Sequence, residues 1–590
     1  MIEPRIYRAA FVPAIFAFIL VMFSIESRPR PLAQGLAADV LFDGRQAQAA
    51  ARQIVAGDSD RRAGTPGDLA LAASVRRTFA GRGFAVEVDR FERDGKDLVN
   101  VIGRRPGRSR RQVVVVAARD ATGVPDAAGS AGDTAALIEL SRVFEGRPSR
   151  KTLVLASVDG STLGHVGARR LVGKLEDPQL VDGVLVISSL GARRSEAASV
   201  VSWSNDATRA GIGLERTVSD SVRQELSRPL AGARPAGQIA RLAFPIGVGA
   251  QGVLLDSGHD AVRISGDGEV PDTARSEPDA VDEDRLGGLG RATLRSVTAL
   301  DQGPRPEHGP ATYVTVVSQV VPGWGLSLLG LTLILPALVG AVDAFARARR
   351  RRRAVTPWLT WLGAGVLAFM LGLAVSYLLA LLGAVPGPPA APVAPDLYPL
   401  DLAAGAVLAV AALVVVLGWV GLRSLARSAD PALEDRADPA AAVAVALVLS
   451  LATLAMWAIN PYSALILVPG LHLWILATLA DPPPSRRARL LMVAAGLLLP
   501  VLLIAYHLII LHLDPLSGAW YLLLLIIGGH VSVTSTLLGC VLAAALGSVL
   551  AIARAADPEV ERPSDIPSIR GPGSYAGPGS LGGTSSTLRR

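Results

Sequence analysis

Cysteine is almost absent from this 590-residue sequence, in which the one thiol, Cys540, lies inside an apolar run. Disulfides and cysteine-based metal sites both need several thiols. A disulfide framework and a zinc–cysteine site are therefore excluded within one chain. The cysteine content does not indicate the cellular compartment, because a chain without cysteine pairs can fold on either side of a membrane.

Charge is also missing, but only from one part of the chain. Charged residues crowd into residues 26–320, whereas much of residues 323–553 is nearly free of them. This split is typical of a soluble domain joined to a membrane domain. The net charge of +7 comes largely from the run Arg347–Arg353. Basic residues are expected beside membrane spans, so we expect the lipid bilayer as a partner and no nucleic acid.

Apolar runs predict one membrane span before residues 33–320 and about seven in residues 321–555. Residues 1–32 combine a short basic start with an apolar run, which favours an uncleaved signal anchor over a signal peptide. The segment Ala33–Ala38 nevertheless offers a late cleavage site. The later spans are predicted at about 324–345, 358–384, 400–422, 439–459, 462–480, 490–512 and 534–553.

Arginines set the predicted orientation of these spans. The run Arg347–Arg353 ends the first span after the soluble domain, and such clusters remain in the cytoplasm. Residues 33–320 are then extracytoplasmic, as is the proline-rich loop Pro386–Pro399. Both termini are cytoplasmic, and the chain is predicted to be a multi-pass protein of the plasma membrane. The tail, residues 556–590, is rich in Pro, Gly and Ser and is predicted to be disordered.

The last apolar region, Trp520–Ala553, is too long for one span, and Gly528–Ser535 interrupts it. Residues 520–533 are therefore predicted to be interfacial or re-entrant. Asp and Glu are missing from the cores of the predicted spans. A proton-coupled carrier usually needs a carboxylate there, so a transporter is the weaker hypothesis. Helix-packing or interfacial positions are the favoured explanation of the four histidines near these spans, which are His472, His507, His512 and His530.

Short apolar strands alternate with helical patterns through residues 33–320. The stretch Val113–Gly164 contains a buried-strand pattern, a helix and a second strand that ends in a polar turn. This alternation predicts an α/β three-layer sandwich with a largely parallel central sheet, joined to an all-α polytopic transmembrane domain. The predicted strands are 84–91, 97–103, 113–117, 153–158, 184–187 and 261–264.

Five short motifs follow one another through this domain: Arg62–Gly67, Leu98–Gly103, Ala135–Leu140, Asp159–Gly167 and Asp279–Leu286. In this order they resemble motifs of the di-zinc aminopeptidases that are related to bacterial secreted aminopeptidases and glutamate carboxypeptidase. The resemblance covers about residues 45–300 and implies the aminopeptidase/phosphorylase-like fold. It also implies a cleft that in the family holds two zinc ions.

The resemblance assigns the family's first ligand positions to residues that cannot bind zinc. The first histidine falls on Ala118, whereas Asp120 keeps the aspartate that orients this histidine in the family. The bridging aspartate falls on Gly129. The neighbouring carboxylates Asp126 and Asp133 would need an insertion or a deletion to take its place.

The remaining positions have also changed. The paired glutamates, one the catalytic base and one a ligand, fall on Ser161 and Thr162. The next aspartate falls near Ser188, and the last histidine on Asp272. Serine and threonine hydroxyls are poor substitutes for carboxylates in a zinc site. The resemblance thus implies a degenerate site with no catalytic residue, no metal ligand and no cofactor.

Two alternatives stay open for this cleft. His165, Asp120 and Asp272 could form a rebuilt metal site, in which case zinc would be the cofactor. Ser161 could act as a nucleophile, although it lacks the Gly-x-Ser-x-Gly elbow and no histidine is assignable as its base.

The layout of an anchor, a peptidase-like domain and several spans resembles that of the peptidase-like subunit of the GPI transamidase. It is also similar to the membrane metallopeptidases of the endoplasmic reticulum. The favoured hypothesis is a non-catalytic binding or scaffold protein of a bacterial cell envelope, with a peptide or membrane-protein partner. A divergent membrane-bound zinc aminopeptidase is the first alternative. A transporter-like protein with an accessory domain is the second.

Overall fold

We describe the protein from a computed structural model. The predicted disordered tail, residues 556–590, and most of the late cleavage segment Ala33–Ala38 lie outside the described residues. The structure describes residues 3–33, 41–57, 60–193, 196–228, 230, 232–433 and 438–555.

Strands of the described residues form two sheets. In chain order they are β1 (Glu26–Ser27), β2 (Ala85–Arg93), β3 (Lys96–Arg105), β4 (Ser109–Ala118), β5 (Lys151–Val158), β6 (Val181–Ser188), β7 (Ser199–Val201), β8 (Ala261–Ser265), β9 (Tyr313–Val316) and β10 (Gln319–Pro322). The main sheet has seven strands in the order β2-β3-β5-β4-β6-β8-β7, and a small sheet has the order β1-β10-β9. We call residues 41–322 the sheet domain.

The main sheet is mixed, which corrects the expectation of a largely parallel sheet. Its central strands β5, β4, β6 and β8 run parallel to one another. The pairs β2–β3, β3–β5 and β7–β8 are antiparallel. The turn between β2 and β3 consists of Asp94 and Gly95, both at positive φ, and a two-residue hairpin of this kind joins only antiparallel strands.

All six predicted strands form, whereas β7 and the small sheet were not predicted. Strands of two to four residues are too short to show an alternating pattern, and their pairing depends on distant segments. In the small sheet, Glu26 pairs with Val320 and Ser27 with Gln319, so the segment after the first apolar helix is paired with the segment before the second.

Helices pack against the main sheet. The strand Val113–Ala117 is completely buried between them. The predicted three-layer arrangement stays a prediction. After α1 (Pro4–Ala9) and α2 (Val12–Phe23), the helices of the sheet domain are α3 (Gly44–Gly57), α4 (Pro66–Gly81), α5 (Gly132–Val143), α6 (Val166–Val172), α7 (Ile212–Leu226), α8 (Pro235–Ala243), α9 (Ala250–Asp256) and α10 (Glu283–Gln302), with a π-helical turn at Ala127–Ala131 and a 3-10 turn at Pro278–Ala280.

The rest of the described chain is helical. Further 3-10 turns lie at Pro395–Leu397 and Pro431–Leu433. The helices are α11 (Gly323–Arg350), α12 (Thr356–Leu381), α13 (Leu402–Ala429), α14 (Pro439–Ile459), α15 (Pro461–Leu479), α16 (Arg486–Gly496), α17 (Leu498–Ile510), α18 (Pro515–Ile527) and α19 (Val533–Ala553).

Eight helical stretches among the described residues are long and apolar enough to cross a membrane. They coincide with the eight predicted spans, as expected for a multi-pass membrane protein. The helix α18 is apolar but shorter, at 13 residues, and lies where an interfacial or re-entrant piece was predicted. The eight stretches are Pro4–Phe23, Gly323–Arg350, Thr356–Leu381, Leu402–Ala429, Pro439–Ile459, Pro461–Leu479, Arg486–Ile510 and Val533–Ala553.

The sheet domain lies at one end of these helices. Helix α11 begins directly after β10 and ends in the arginine run. Because it has 28 residues, the end of β10 and the arginine run are about 42 Å apart. The proline-rich segment Pro386–Pro399, between α12 and α13, contacts the sheet domain, since Arg169 donates a hydrogen bond to the Ala390 carbonyl oxygen. This placement agrees with the predicted alternation of the loops, and the orientation in a membrane stays a prediction.

One buried ion cluster joins the elements below the carboxyl ends of the central strands. Arg119 follows β4 and donates hydrogen bonds to both carboxylate oxygens of Asp68 in α4, at 2.9 and 2.8 Å. It also donates to the Val99 carbonyl oxygen in β3, at 2.8 Å. Its guanidinium lies 3.3 Å from the Asp159 carboxylate after β5. The side chains of all three charged residues are fully buried.

Replacing Arg119 with methionine should lower the free energy of unfolding by about 3–5 kcal/mol, because it leaves Asp68 and Asp159 buried without their cation. Thermal unfolding of the detergent-solubilised chain measures the effect. The matched control, Arg62→Met, breaks an ion pair with Asp60 whose two side chains are 61% and 43% exposed, and should leave the unfolding transition unchanged. Equal effects of the two substitutions would contradict a structural role of the cluster.

Candidate functional site

A cavity of about 140 Å³ lies at the carboxyl ends of β4, β5 and β6. Ligand sites of α/β proteins are usually found at such strand ends. Six of the seven residues assigned from the family resemblance line it: Ala118, Asp120, Gly129, Ser161, Thr162 and Ser188. Asp272 does not line this cavity but a neighbouring pocket of about 490 Å³. The topology thus brings together residues from four separate chain segments.

Asp120 holds the turn after β5 in place. Its carboxylate accepts hydrogen bonds from the backbone N–H groups of Ser161, at 2.9 Å, and Thr162, at 3.1 Å. The Thr162 hydroxyl donates to the same carboxylate at 3.2 Å. Burial raises the pKa of Asp120. Ser161 and Thr162, to which the resemblance assigns the family's glutamates, therefore contact Asp120 through their backbone N–H groups, and Thr162 also through its hydroxyl; both side chains are neutral.

Asp126 occupies the space that a side chain at position 129 would need. Gly129 has no side chain, and a Cβ atom there would lie 2.1 Å from Asp126 Oδ1 and 2.4 Å from Thr273 Oγ1. Asp126 itself has a left-handed backbone conformation, with φ of 46°, and its carboxylate accepts the Ser130 N–H at 3.1 Å. The carboxylate at this point of the cavity therefore comes from position 126.

Buried carboxyl groups concentrate at this side of the cavity. The Asp133 carboxylate accepts the backbone N–H groups of Ser189, at 2.7 Å, and Leu190, at 2.9 Å. Burial raises the pKa of Asp133 to about 7 and that of Asp126 to about 6. Both groups can therefore take up or release a proton near neutral pH.

Arg263 is a functional candidate that the sequence analysis did not identify. It lies in β8, lines the cavity and is 5% exposed. One guanidinium nitrogen, Nη2, donates to the Glu269 carbonyl oxygen at 2.6 Å, whereas Nε has no hydrogen-bond partner. Burial lowers the pKa of Arg263 to about 10. A lone arginine in an apolar strand was the available signal, but nothing in the pattern indicates which face it lies on.

His165 lines the same cavity, and its Nε2 atom also lacks a hydrogen-bond partner. Burial lowers the pKa of His165 to about 3, so the ring is neutral at pH 7. His259, which lies just before β8, is elsewhere, with Nε2 at 3.4 Å from the Glu176 carbonyl oxygen. The structure therefore places His165 and Asp120 at one cavity and does not bring Asp272 or His259 to it.

The side chains around the cavity do not fit a zinc ion. Zinc in proteins is held by several nitrogen, sulfur or carboxylate ligands around one point. Within the part of the chain that the structure describes, no group of three or more His, Cys, Asp or Glu side chains is placed to hold a metal. The carboxylates of Asp120 and Asp133 are each engaged by two backbone N–H groups.

The outer wall of the cavity comes from the helical part of the chain. We call Pro386–Pro399, the proline-rich segment between α12 and α13, the strap. Ala391 and Val393 of the strap are each 1% exposed, so this segment is packed and not a free loop. The strap residues that line the cavity are Val393, Ala394, Asp396 and Leu397.

Hydrogen bonds fix the strap from both sides. Arg169 of α6 donates to the Ala390 carbonyl oxygen at 2.6 Å, and Tyr521 of α18 donates to the Val393 carbonyl oxygen at 2.8 Å. Prolines have no N–H group, so a segment rich in them is held largely through its carbonyl oxygens. The strap thus connects the cavity of the sheet domain to the short apolar helix α18.

Comparison with solved structures gives weak likenesses. BSAP, a zinc aminopeptidase from Bacillus subtilis, is 13% identical with a TM-score of 0.35, over 43% of this chain and 94% of that one. A glutaminyl cyclase from an Acidobacteriales bacterium is 15% identical with a TM-score of 0.34, over 47% of this chain and 99% of that one. The LapA aminopeptidase of Legionella pneumophila is 12% identical with a TM-score of 0.37, over 45% of this chain and 73% of that one.

No protein-family model and no curated protein matches the chain. Zinc aminopeptidases are therefore among the solved structures that this chain resembles. Identities and TM-scores this low carry no assignment of activity.

Asp133→Asn should become more stable relative to the native chain as the pH rises from about 4 to about 7. An unfolded aspartate has a pKa near 3.9, whereas burial raises that of Asp133 to about 7. The folded chain therefore binds an extra proton in this range, and deprotonation of Asp133 costs stability as the pH rises. Thermal midpoints at pH 4 to 8 measure the difference. Asp279→Asn removes a carboxylate that is 96% exposed and should keep the native profile.

Gly164→Ala should loosen the strap. Gly164 has a φ of 84°, and a Cβ atom there would lie 2.3 Å from the Ala390 backbone nitrogen. In a Cys540→Ala background, a cysteine at Ala391 reports strap opening through its rate of maleimide labelling. We expect at least a roughly tenfold faster reaction after Gly164→Ala.

The matched control is Gly160→Ala, which has the same kind of left-handed strain, with a φ of 68°, but would contact Val166 and Leu98 and no strap atom. Equal labelling rates for the two alanine variants would show that the glycine at position 164 is not what allows the strap to close.

Proposed function

We propose that this chain is a polytopic membrane protein whose sheet domain binds a ligand or partner without cleaving it. The observation that carries the proposal is the set of residues around the cavity. Six positions that the family resemblance assigns to the zinc site line it, and five of them have alanine, glycine, serine or threonine. The sixth, Asp120, corresponds to a residue that orients a ligand and does not bind metal.

The chemistry of hydrolysis supports the same conclusion. A zinc peptidase needs a metal-bound water and a carboxylate base close to it. The base position is occupied by Ser161, whose hydroxyl is neutral at any physiological pH. The position of the bridging aspartate is occupied by Gly129, and the Asp126 carboxyl group leaves no room for a longer residue there.

The site of action that we propose is the outer surface of the plasma membrane. The sheet domain and the strap would then be extracytoplasmic, and the arginine run and both termini cytoplasmic. The strap supports a role at the membrane surface, because it forms one wall of the cavity and is anchored by Tyr521 of α18. We propose a peptide or a membrane protein as the partner of this surface, in a layout like that of the GPI transamidase subunit.

Metal analysis of the purified full-length chain tests the proposal. After incubation with zinc and buffer exchange, we expect well under one zinc ion per chain and no release of N-terminal residues from peptides. Stoichiometric zinc together with chelator-sensitive aminopeptidase activity would overturn it in favour of a divergent membrane metallopeptidase. Substrate-dependent flux in vesicles that survives deletion of residues 41–322 would overturn it in favour of a transporter.

A further inference from the structure

Two residues that line the cavity have buried polar atoms of opposite character without a hydrogen bond. Arg263 Nε is a buried cationic donor without a hydrogen bond, and Asp126 Oδ1 is a buried acceptor that lies beside the Thr273 hydroxyl without a hydrogen bond of regular geometry. Arg263 is 5% exposed and Asp126 is 1% exposed. Buried polar groups are nearly always hydrogen-bonded, and leaving one unsatisfied is costly. A donor and an acceptor that stay unsatisfied in one cavity indicate a ligand that supplies both complements.

The cationic side of the cavity is built to accept a carboxylate. Arg263 is fixed in β8, and its Nη2 bond to the Glu269 carbonyl oxygen orients the guanidinium. Gly249 lies beside it, where a Cβ atom would come within 2.3 Å of Gln251 Oε1 and 3.1 Å of Arg263 Nε, so a side chain at position 249 would crowd both polar atoms. His165 Nε2 is a further polar atom without a partner on the same cavity wall.

The acidic side of the cavity is built to accept an ammonium group. Asp126 and Asp133 both line it; burial raises the pKa of each carboxyl group, and the charge of Asp126 raises the pKa of Asp133 further. A cationic group beside these two carboxyl groups would favour their charged forms and lower both pKa values. Asp133 is already engaged by two backbone N–H groups, so the free acceptor is Asp126 Oδ1.

Size and polarity narrow the ligand further. A cavity of about 150 Å³ holds benzene, so one of about 140 Å³ admits a molecule of about six non-hydrogen atoms. The wall also includes the apolar side chains of Val186, Val248 and the strap residue Val393. A molecule with a carboxylate, an ammonium group and a short apolar side chain complements all three parts.

We propose that the cavity binds a free α-amino acid with a small apolar side chain, the carboxylate on Arg263 and the ammonium group on Asp126. The proposal rests on the non-catalytic function proposed above, since it uses the space that the metal site occupies in the aminopeptidases. The strap then retains the bound molecule, because Val393 belongs both to the cavity wall and to the segment held by Tyr521.

Titration calorimetry on the detergent-solubilised full chain with L-alanine, L-alaninamide and propionate tests the proposal. L-alanine should bind at least about tenfold more tightly than either analogue, because each analogue leaves one buried charge unsatisfied. We expect a Kd of about 1 mM or lower. If L-alanine does not bind at 10 mM, the proposal is overturned. Equal binding of all three compounds overturns it as well.

Two substitutions test the assigned contacts. Arg263→Lys keeps the positive charge but loses the planar donor, and Asp126→Asn keeps the shape but loses the negative charge. Each should weaken L-alanine binding at least about tenfold. The controls Arg305→Lys and Asp97→Asn make the same chemical changes at exposed positions and should leave binding unchanged. An unchanged affinity in a variant that keeps the native unfolding transition would overturn the assignment.

The ligand proposal and the proposed function fail in different ways. Stoichiometric zinc with peptide cleavage removes the proposed function, and the ligand proposal with it. A chain that holds no zinc, cleaves no peptide and does not bind L-alanine keeps the proposed function and overturns only the amino-acid ligand.

Discussion

Arg119 is buried directly after the central strand β4 and binds the carboxylate of Asp68 through two hydrogen bonds. It also lies against Asp159, whose carboxyl group accepts the Val99 N–H at 3.0 Å. Helix α4 and strands β3, β4 and β5 thereby meet at one guanidinium. A buried charge is tolerated only when its partners are in place, so this contact constrains how the four elements pack. The turn that follows Asp159 forms one side of the cavity, so the Arg119 contacts also determine where this side lies.

The cavity lies above this cluster, at the strand ends where α/β proteins usually have a ligand site. Residues at the ends of parallel strands still converge, as they do wherever an α/β sheet builds a site. The carboxylates present are engaged by backbone N–H groups, as Asp120 is by Ser161 and Thr162. The buried polar atoms without a hydrogen bond belong to Arg263, Asp126 and His165, among others. The strap connects this cavity physically to the helical part of the chain.

Much of the architecture follows from local patterns. The eight apolar runs are long enough to be read one at a time, and each forms a helix at its predicted place. The six longer strands were predicted because five or more residues suffice to show burial. The antiparallel edges were missed, although Asp94-Gly95 is a strong hairpin signal. The strand β7 and the small sheet have two to four residues each, and their pairing with distant segments leaves no local trace.

The sequence alone determined the division into a charged α/β part and an apolar helical part, because composition and periodicity act within short windows. It also indicated that Ala118 would lie at the end of one strand and that Ser161 and Thr162 would lie in the turn after another. Only the tertiary structure decided that Asp272 turns away from them, that Arg263 faces the same cavity, and that a strap from the membrane helices closes it. These contacts join residues more than a hundred positions apart, and packing, not local pattern, sets which of them meet.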